Sequence, residues 1–171
     1  MKLEEAERLA FKVIETIEGC CERTAVAGSV RRQRPEVHDI DIVVIPKPFM
    51  WTRIPILMRS ELDAIQGIAG PELIRMYVPF ATCCPYQDNS ERRVQVDFYA
   101  ATAQTWGVIL LIRTGSTDYN IRLCTHAKAL GMMLSASRGV LEKGTVIASK
   151  TEEEIFKALV LPYVAPGDRE V

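Results

Sequence analysis

Along the first seventeen residues, apolar side chains return at Leu3, Ala6, Leu9, Ala10, Val13, Ile14 and Ile17. This three-and-four spacing lines one face of a helix, and Gly19 supplies its stop. The period then changes. After a short strand expected near Ala25 and Val26, residues 39–45 read DIDIVVI. Ile40, Ile42 and Val44 therefore share one strand face, while Asp39, Asp41 and Val43 share the other. Residues 56–66, which follow Pro55, predict a second helix. Residues 72–100 predict strands around a turn at QDNS, 87–90, the last strand setting Val94, Val96 and Phe98 opposite Gln95, Asp97 and Tyr99. This order predicts an α+β fold, a mixed or antiparallel sheet with helices on one face.

The texture changes near residue 105. A helix through WGVILLI, 106–112, ends at RTGS, where Ser116 caps a further helix running to Gly131. MLSASRGV and TVIAS predict two strands. Thr151 with Glu154 has the spacing of a capping box, and Pro162 closes the last helix. The chain therefore divides into a subdomain at 1–105 and a smaller α+β subdomain at 106–171.

Composition changes this picture little. With 48% hydrophobic and 25% charged residues in 171, the chain has an ordinary globular make-up. The N-terminal segment has no basic leader and reads as the first helix rather than an address. WGVILLI is far shorter than the roughly 20 apolar residues that span a bilayer. Five cysteines in an odd set with two vicinal pairs suit a reducing compartment, so the chain is expected to be cytoplasmic, with no membrane partner, and a monomer. Net charge is −1, but its distribution is uneven. Residues 106–150 carry six Lys or Arg against two Asp or Glu, and the last 21 residues carry two against five. A basic segment is followed by an acidic one.

Residues 27–44, AGSVRRQRPEVHDIDIVV, carry the chemistry. Carboxylates at i and i+2 on one strand face suit a hard cation such as Mg²⁺, which takes one or two carboxylates plus substrate phosphates. A third carboxylate on a neighbouring strand would complete a site for two ions about 3.5–4 Å apart, the arrangement for in-line phosphoryl displacement. Asp97 is the candidate with the right facing. The Gly28–Ser29 turn lets backbone N–H groups approach a phosphate, and Arg32 can bind one bidentately.

Gly-Ser, then D-x-D eleven residues on, then V-x-V-D on a later strand resembles the nucleotidyltransferase superfamily. RRVQVDFYA followed by WGVILLIRTGSTDYNIRLCTHAKALGMMLSASRGV, and the closing EEEIFKALVLPYVAPGDRE, resemble family X DNA polymerases, the DNA polymerase beta-like group. The resemblance covers nearly the whole chain. It implies a catalytic palm at 1–105 and a thumb-like nucleotide-selection subdomain at 106–171, as in minimal viral members that lack a lyase domain and a helix-hairpin-helix clamp. It further implies that Asp39 and Asp41 bind two Mg²⁺ ions, with Mn²⁺ as a substitute, and that Asp97 binds the catalytic one and activates a primer 3′-hydroxyl. Gly28, Ser29 and Arg32 would hold the β and γ phosphates of a deoxynucleoside triphosphate. Thr114 and Gly115 would line its sugar, and Asn120 would touch its minor-groove edge. Arg122, Lys128 and Arg138 would meet the phosphates of primer-template or gapped DNA.

Four positions depart from the family pattern. Ile112 and Arg113 replace an aromatic pair beside the sugar, which puts ribonucleotide exclusion in question. Cys124 stands where an arginine monitors the template, and Thr117 replaces an acid. The expected activity is DNA-directed, distributive gap filling in DNA repair. The alternatives are template-independent transfer to a nucleic-acid end or small acceptor, and a non-enzymatic DNA-end binding module.

Overall fold

The computed structural model describes residues 1–84 and 92–170, so the turn expected at 87–90 lies outside the described residues. Helix α1, Leu3–Ile17, buries Ala6, Leu9, Ala10, Val13 and Ile17 and carries Glu4 and Glu5 in its first turn, where carboxylates favour the positive helix end. It gives way to a 3₁₀ turn at Glu18–Cys20 and then to strand β1, Cys21–Val26. A single helical turn, α2, Gly28–Arg31, precedes strand β2, Asp39–Pro46. Helix α3 spans Ile54–Leu62.

The second helix is shorter than its predicted 56–66. Asp63 adopts a left-handed conformation (φ 49°) that ends it, and Ile65–Ala69 forms an unforeseen strand, β3. Every residue of β3 is exposed, so its side chains carry none of the alternating burial signal that periodicity detects. Strands β4, Leu73–Pro79, and β5, Arg93–Ala100, complete a five-stranded sheet in the order β1-β2-β5-β4-β3. The β2–β5 pair is parallel and the rest are antiparallel, so the sheet is mixed.

Ile40, Ile42, Val44, Val94, Val96 and Phe98 form one apolar face of this sheet, closed by Leu9, Val13 and Ile17 of α1 and Ile54 and Met58 of α3. Each such large side chain contributes roughly 1.5–3 kcal/mol on leaving water. This face is sealed, and the face bearing Asp39 and Asp41 is left for chemistry.

Helix α4, Trp106–Thr114, docks on that second face through Trp106 and Leu110 against Val43 and Ala27. In the same helix Gly107 lets the backbone of Thr151 approach closely, because a Cβ would stand 2.4 Å from it. Helix α5, Thr117–Ala129, is capped as expected by Ser116, whose side chain accepts from the Tyr119 amide. Three strands follow where two were predicted: β6, Met132–Ser135, β7, Gly139–Glu142, and β8, Thr145–Ala148. The stretch read as one strand turns back at 136–138, so β6 and β7 pair antiparallel. Thr151 caps the final helix α6, Glu152–Ala158. Val108, Leu111, Leu123, Val140, Ile155 and Phe156 belong to a second core. Among the described residues no helix is long and apolar enough to cross a membrane.

Candidate active site

The alternation read from DIDIVVI sets Asp39 and Asp41 on the sheet face that α1 and α3 leave open. Parallel pairing then aligns Asp41 with Asp97 on β5 and Asp39 with Gln95. Antiparallel pairing aligns Asp97 with Arg75 on β4. Three adjacent strands therefore carry a row, Asp41, Asp97, Arg75.

Asp97 is only 2% exposed, and Arg75 takes both of its oxygens: Nε donates to Oδ1 at 2.7 Å and Nη2 to Oδ2 at 2.6 Å. Gln95 Nε2 and the Tyr99 hydroxyl also donate to Oδ2, at 3.3 and 3.2 Å. Asp41 is in a different state. Burial, and next the neighbouring Asp39, push its carboxyl up to about 6, while a hydrogen bond with Tyr99 opposes the rise. Burial and then the charge of Asp41 raise the Tyr99 phenol as well, which keeps it a donor. Among the described residues no group of three His, Cys, Asp or Glu side chains is arranged to hold a metal ion.

A cleft of about 320 Å³ opens beside this row. It gathers Gly28, Ser29 and Arg32 from the first half, Asp39 and Asp41 from β2, and Ile112, Arg113, Thr114, Gly115 and Asn120 from the second half. Asp97 lies outside its lining. Gly28 has φ +57°, and a Cβ there would stand 2.0 Å from Asp41 Oδ2, so the turn presses bare backbone against the carboxylate. No other residue fits. Among the described residues, two buried polar atoms of cleft-lining side chains find no partner, Ser29 Oγ and Asn120 Oδ1. Asn120 Nδ2 donates to the Ile112 carbonyl at 2.8 Å, which fixes Oδ1 as its free acceptor. An unsatisfied buried polar atom costs about 1–3 kcal/mol, so a ligand with complementary groups gains by entering.

Other residues are committed elsewhere. Arg32 donates from Nε to Glu170 at 2.5 Å and from Nη1 to the Thr114 carbonyl. The Thr114 hydroxyl donates to the Leu110 carbonyl at 2.6 Å and accepts from Arg31 at 2.7 Å, so its side chain is structural. Arg113 lays its guanidinium over the Tyr99 ring, 4.1 Å from the centroid. Arg122, Lys128 and Arg138 are exposed. Lys128 stands with Ile121, Cys124 and Thr125 along α5, whereas Arg138 stands with Lys150 beside β8. Trp106 packs the junction beneath Arg23, and His126 Nε2 lies 2.9 Å from the Leu159 carbonyl, linking α5 to the end of α6.

The sequence reading missed three functional neighbours. Tyr99 shares the alternating face of Asp97 and donates to it from two residues away, whereas strand register alone brings Arg75 to Asp97 and Tyr99 beside Asp41. The third is Glu152, in a run of glutamates that the helix N-terminus alone would explain. It is 5% exposed and bridges Arg31 at 2.8 and 2.7 Å and Arg169 at 2.7 Å, so the turn after Gly28, the Thr114 loop and the C-terminal residues meet on one carboxylate.

Residues 109–170 match the family described as DNA polymerase beta thumb. The chain is similar to DNA polymerase lambda of Rattus norvegicus, 25% identical over 159 residues that cover 84% of this chain and 28% of that protein. It is also similar to DNA polymerase/3'-5' exonuclease PolX of Bacillus subtilis (strain 168), 29% identical over 148 residues covering 84% of this chain and 24% of that protein. The chain thus spans about a quarter of the length of these relatives.

Proposed function

We propose that this family X polymerase-like chain is a nucleotidyltransferase that adds nucleotides to a primer 3′-hydroxyl, filling short gaps in DNA distributively. The observation that carries the reading is the cleft itself. It brings the Gly28–Ser29 turn, Asp39 and Asp41 together with Gly115 and Asn120 from the other half of the chain, and it holds two unsatisfied buried oxygens.

Two divalent ions fit the donor set, because the burial and the repulsion from Asp39 that together hold Asp41 up are offset by a cation. Asp39 and Asp41 would hold them, and Asp97 would join once Arg75 releases it. Bound there, Mg²⁺ or Mn²⁺ would supply charge neutralisation for the triphosphate and acidity for the attacking hydroxyl. The chain does the rest by positioning. Ser29 Oγ donates to a phosphate oxygen, and Gly28 lets the backbone approach. Asn120 Oδ1 accepts from the incoming nucleotide, and Ile112 and Arg113 flank its sugar. Arg122, Lys128 and Arg138 meet DNA phosphates as separate points, which favours weak, salt-dependent binding.

One observation favours the second reading, template-independent addition. Ile121 is 58% exposed on α5 beside Cys124, so this face offers a base an aliphatic surface rather than a donor. Primer extension on gapped, recessed and single-stranded ends separates the readings, run with matched deoxynucleotides and ribonucleotides. Asp41→Asn is expected to cut incorporation at least about 1,000-fold, some 4 kcal/mol of transition-state stabilisation. A folded Asp41→Asn protein with near wild-type turnover overturns the proposal.

A further inference from the structure

A carboxylate offers about four lone-pair sites in its plane. At Asp97 four donors are present: Arg75 Nε on Oδ1, and Arg75 Nη2, Gln95 Nε2 and the Tyr99 hydroxyl on Oδ2. Oδ2 is crowded by three donors and Oδ1 takes only the Arg75 Nε, so the arginine fork alone spans both oxygens. Two of the four donors come from one residue, in the bidentate fork that makes arginine–carboxylate pairs strong and planar. Cross-strand register places Arg75 opposite Asp97, and the bulge in β3 sets Gly67 beside the Arg75 stem, where a Cβ would stand 3.4 Å from Cγ.

We propose that Arg75 is a positioning residue that occupies on Asp97 the place of a divalent cation, so that an ion binds Asp97 tightly when Arg75 withdraws. The inference rests on the reading of Asp97 as a metal ligand. A dication approaching Asp41 and Asp97 repels the guanidinium but not the neutral Gln95 and Tyr99, so Arg75 is the donor that leaves. Its side chain is 29% exposed and has a way out to water, whereas Asp97 at 2% has none. Withdrawal costs the fork, and ion affinity at Asp97 is lowered by that amount. The same exchange accounts for the absence of a ready three-carboxylate cage among the described residues. Arg75 keeps a buried charge neutral until the ion arrives.

The test is Mn²⁺ binding by electron paramagnetic resonance, without nucleotide or DNA, on the whole chain. Wild type, Arg75→Gln, Asp97→Asn and the double variant are compared, each checked for folding by circular dichroism. Arg75→Gln is expected to tighten Mn²⁺ at least tenfold and to enlarge the rise in melting temperature that saturating Mn²⁺ gives, with both gains absent from the double variant. Where Arg75→Gln does not fold, Arg75→Lys serves, since it keeps the charge but not the fork, and a threefold or greater gain is expected. If Asp97→Asn weakens Mn²⁺ binding while neither Arg75 variant tightens it, the competition is overturned and the metal reading stands. If Asp97→Asn binds Mn²⁺ as wild type does, or wild type binds none, the metal reading itself fails and the competition with it.

Discussion

Asp97 and Glu152 are both buried carboxylates, 2% and 5% exposed, both held by arginine forks, yet they stand in opposite electrostatic company. Around Asp97 carboxylates are in excess: Asp39 and Asp41 lie on the adjacent strand, and Arg75 is the cation in direct contact. Around Glu152 cations are in excess, with Arg31 and Arg169 converging on one carboxylate. A surplus of negative charge beside an open cleft seeks a mobile cation. A carboxylate saturated by two arginines, with Arg169 fully buried and further bonded to the Val164 carbonyl, has nothing left to bind. The first arrangement suits a site and the second a joint. What separates them is the balance of sign and the access to water, since burial and hydrogen bonding are alike.

The largest expected effect breaks the joint. Burial alone would raise the Glu152 carboxyl, but the hydrogen bonds from Arg31 and Arg169 outweigh it and hold the group below its ordinary value. Glu152→Gln keeps the shape and removes the charge, leaving two arginines facing each other. Removing one partner of a buried pair costs about 3–5 kcal/mol. Urea denaturation is expected to show a loss of that size with an unchanged slope, because the fold stays the same and its stability falls. A loss below about 1 kcal/mol contradicts the assignment of Glu152 as the joint.

A smaller effect distinguishes the two regions by the direction of their pH dependence. Asp41 binds its proton more tightly folded than unfolded, so between about 4 and about 6 the folded state holds more protons and stability falls as pH rises. Glu152 acts the other way. Its contribution is present above its unfolded value and is lost as pH falls through its lower folded one. In metal-free buffer, melting temperatures of wild type and Asp41→Asn are compared at pH 5 and pH 7. Wild type is expected to lose stability relative to the variant as pH rises, by about 1–3 kcal/mol. Mn²⁺ is expected to abolish that difference by holding Asp41 ionised. A variant that tracks wild type in metal-free buffer shows that Asp41 bears no unrelieved charge.

How far these two regions were legible in the sequence follows from the range of the contacts that make them. The period-two alternation of DIDIVVI was enough to put Asp39 and Asp41 on one face, and that face is open. Asp97 followed from the same alternation on β5. Arg75 did not, because its partnership depends on β4 lying beside β5 in a register that no local pattern encodes. Glu152 was hidden for a related reason. A run of three glutamates at a helix start has a sufficient local explanation in the helix dipole, yet one of the three points inward, toward residues 121 and 17 positions away. The exposed edge strand β3 and the return at 136–138 were missed because neither buries an alternating face. Local periodicity specified the aspartate-bearing face; strand order and chain return specified what balances its charge.

The smallest effect concerns an anion already resting on the cleft. Glu170 approaches Arg32 at 2.5 Å and Arg34 at 3.7 Å, although Arg32 lines the cleft in which a triphosphate would lie. A carboxylate on that guanidinium competes with a phosphate for the same donors. Glu170 is about a third exposed and lies at the molecular surface, so the pair is solvent-screened and its loss costs little stability. Glu170→Gln is therefore expected to leave the melting temperature within about a degree or two of wild type and to tighten inorganic tripolyphosphate two- to fivefold by calorimetry, a gain of about 0.4–1 kcal/mol. Arg32→Gln is expected to erase the gain, because the freed donors are its own. If Glu170→Gln instead weakens tripolyphosphate, the carboxylate holds Arg32 in its binding pose rather than blocking it. The acidic chain end would then act on the cleft as Glu152 acts on Arg31, as a brace, and the contrast between site and joint would not extend to Arg32.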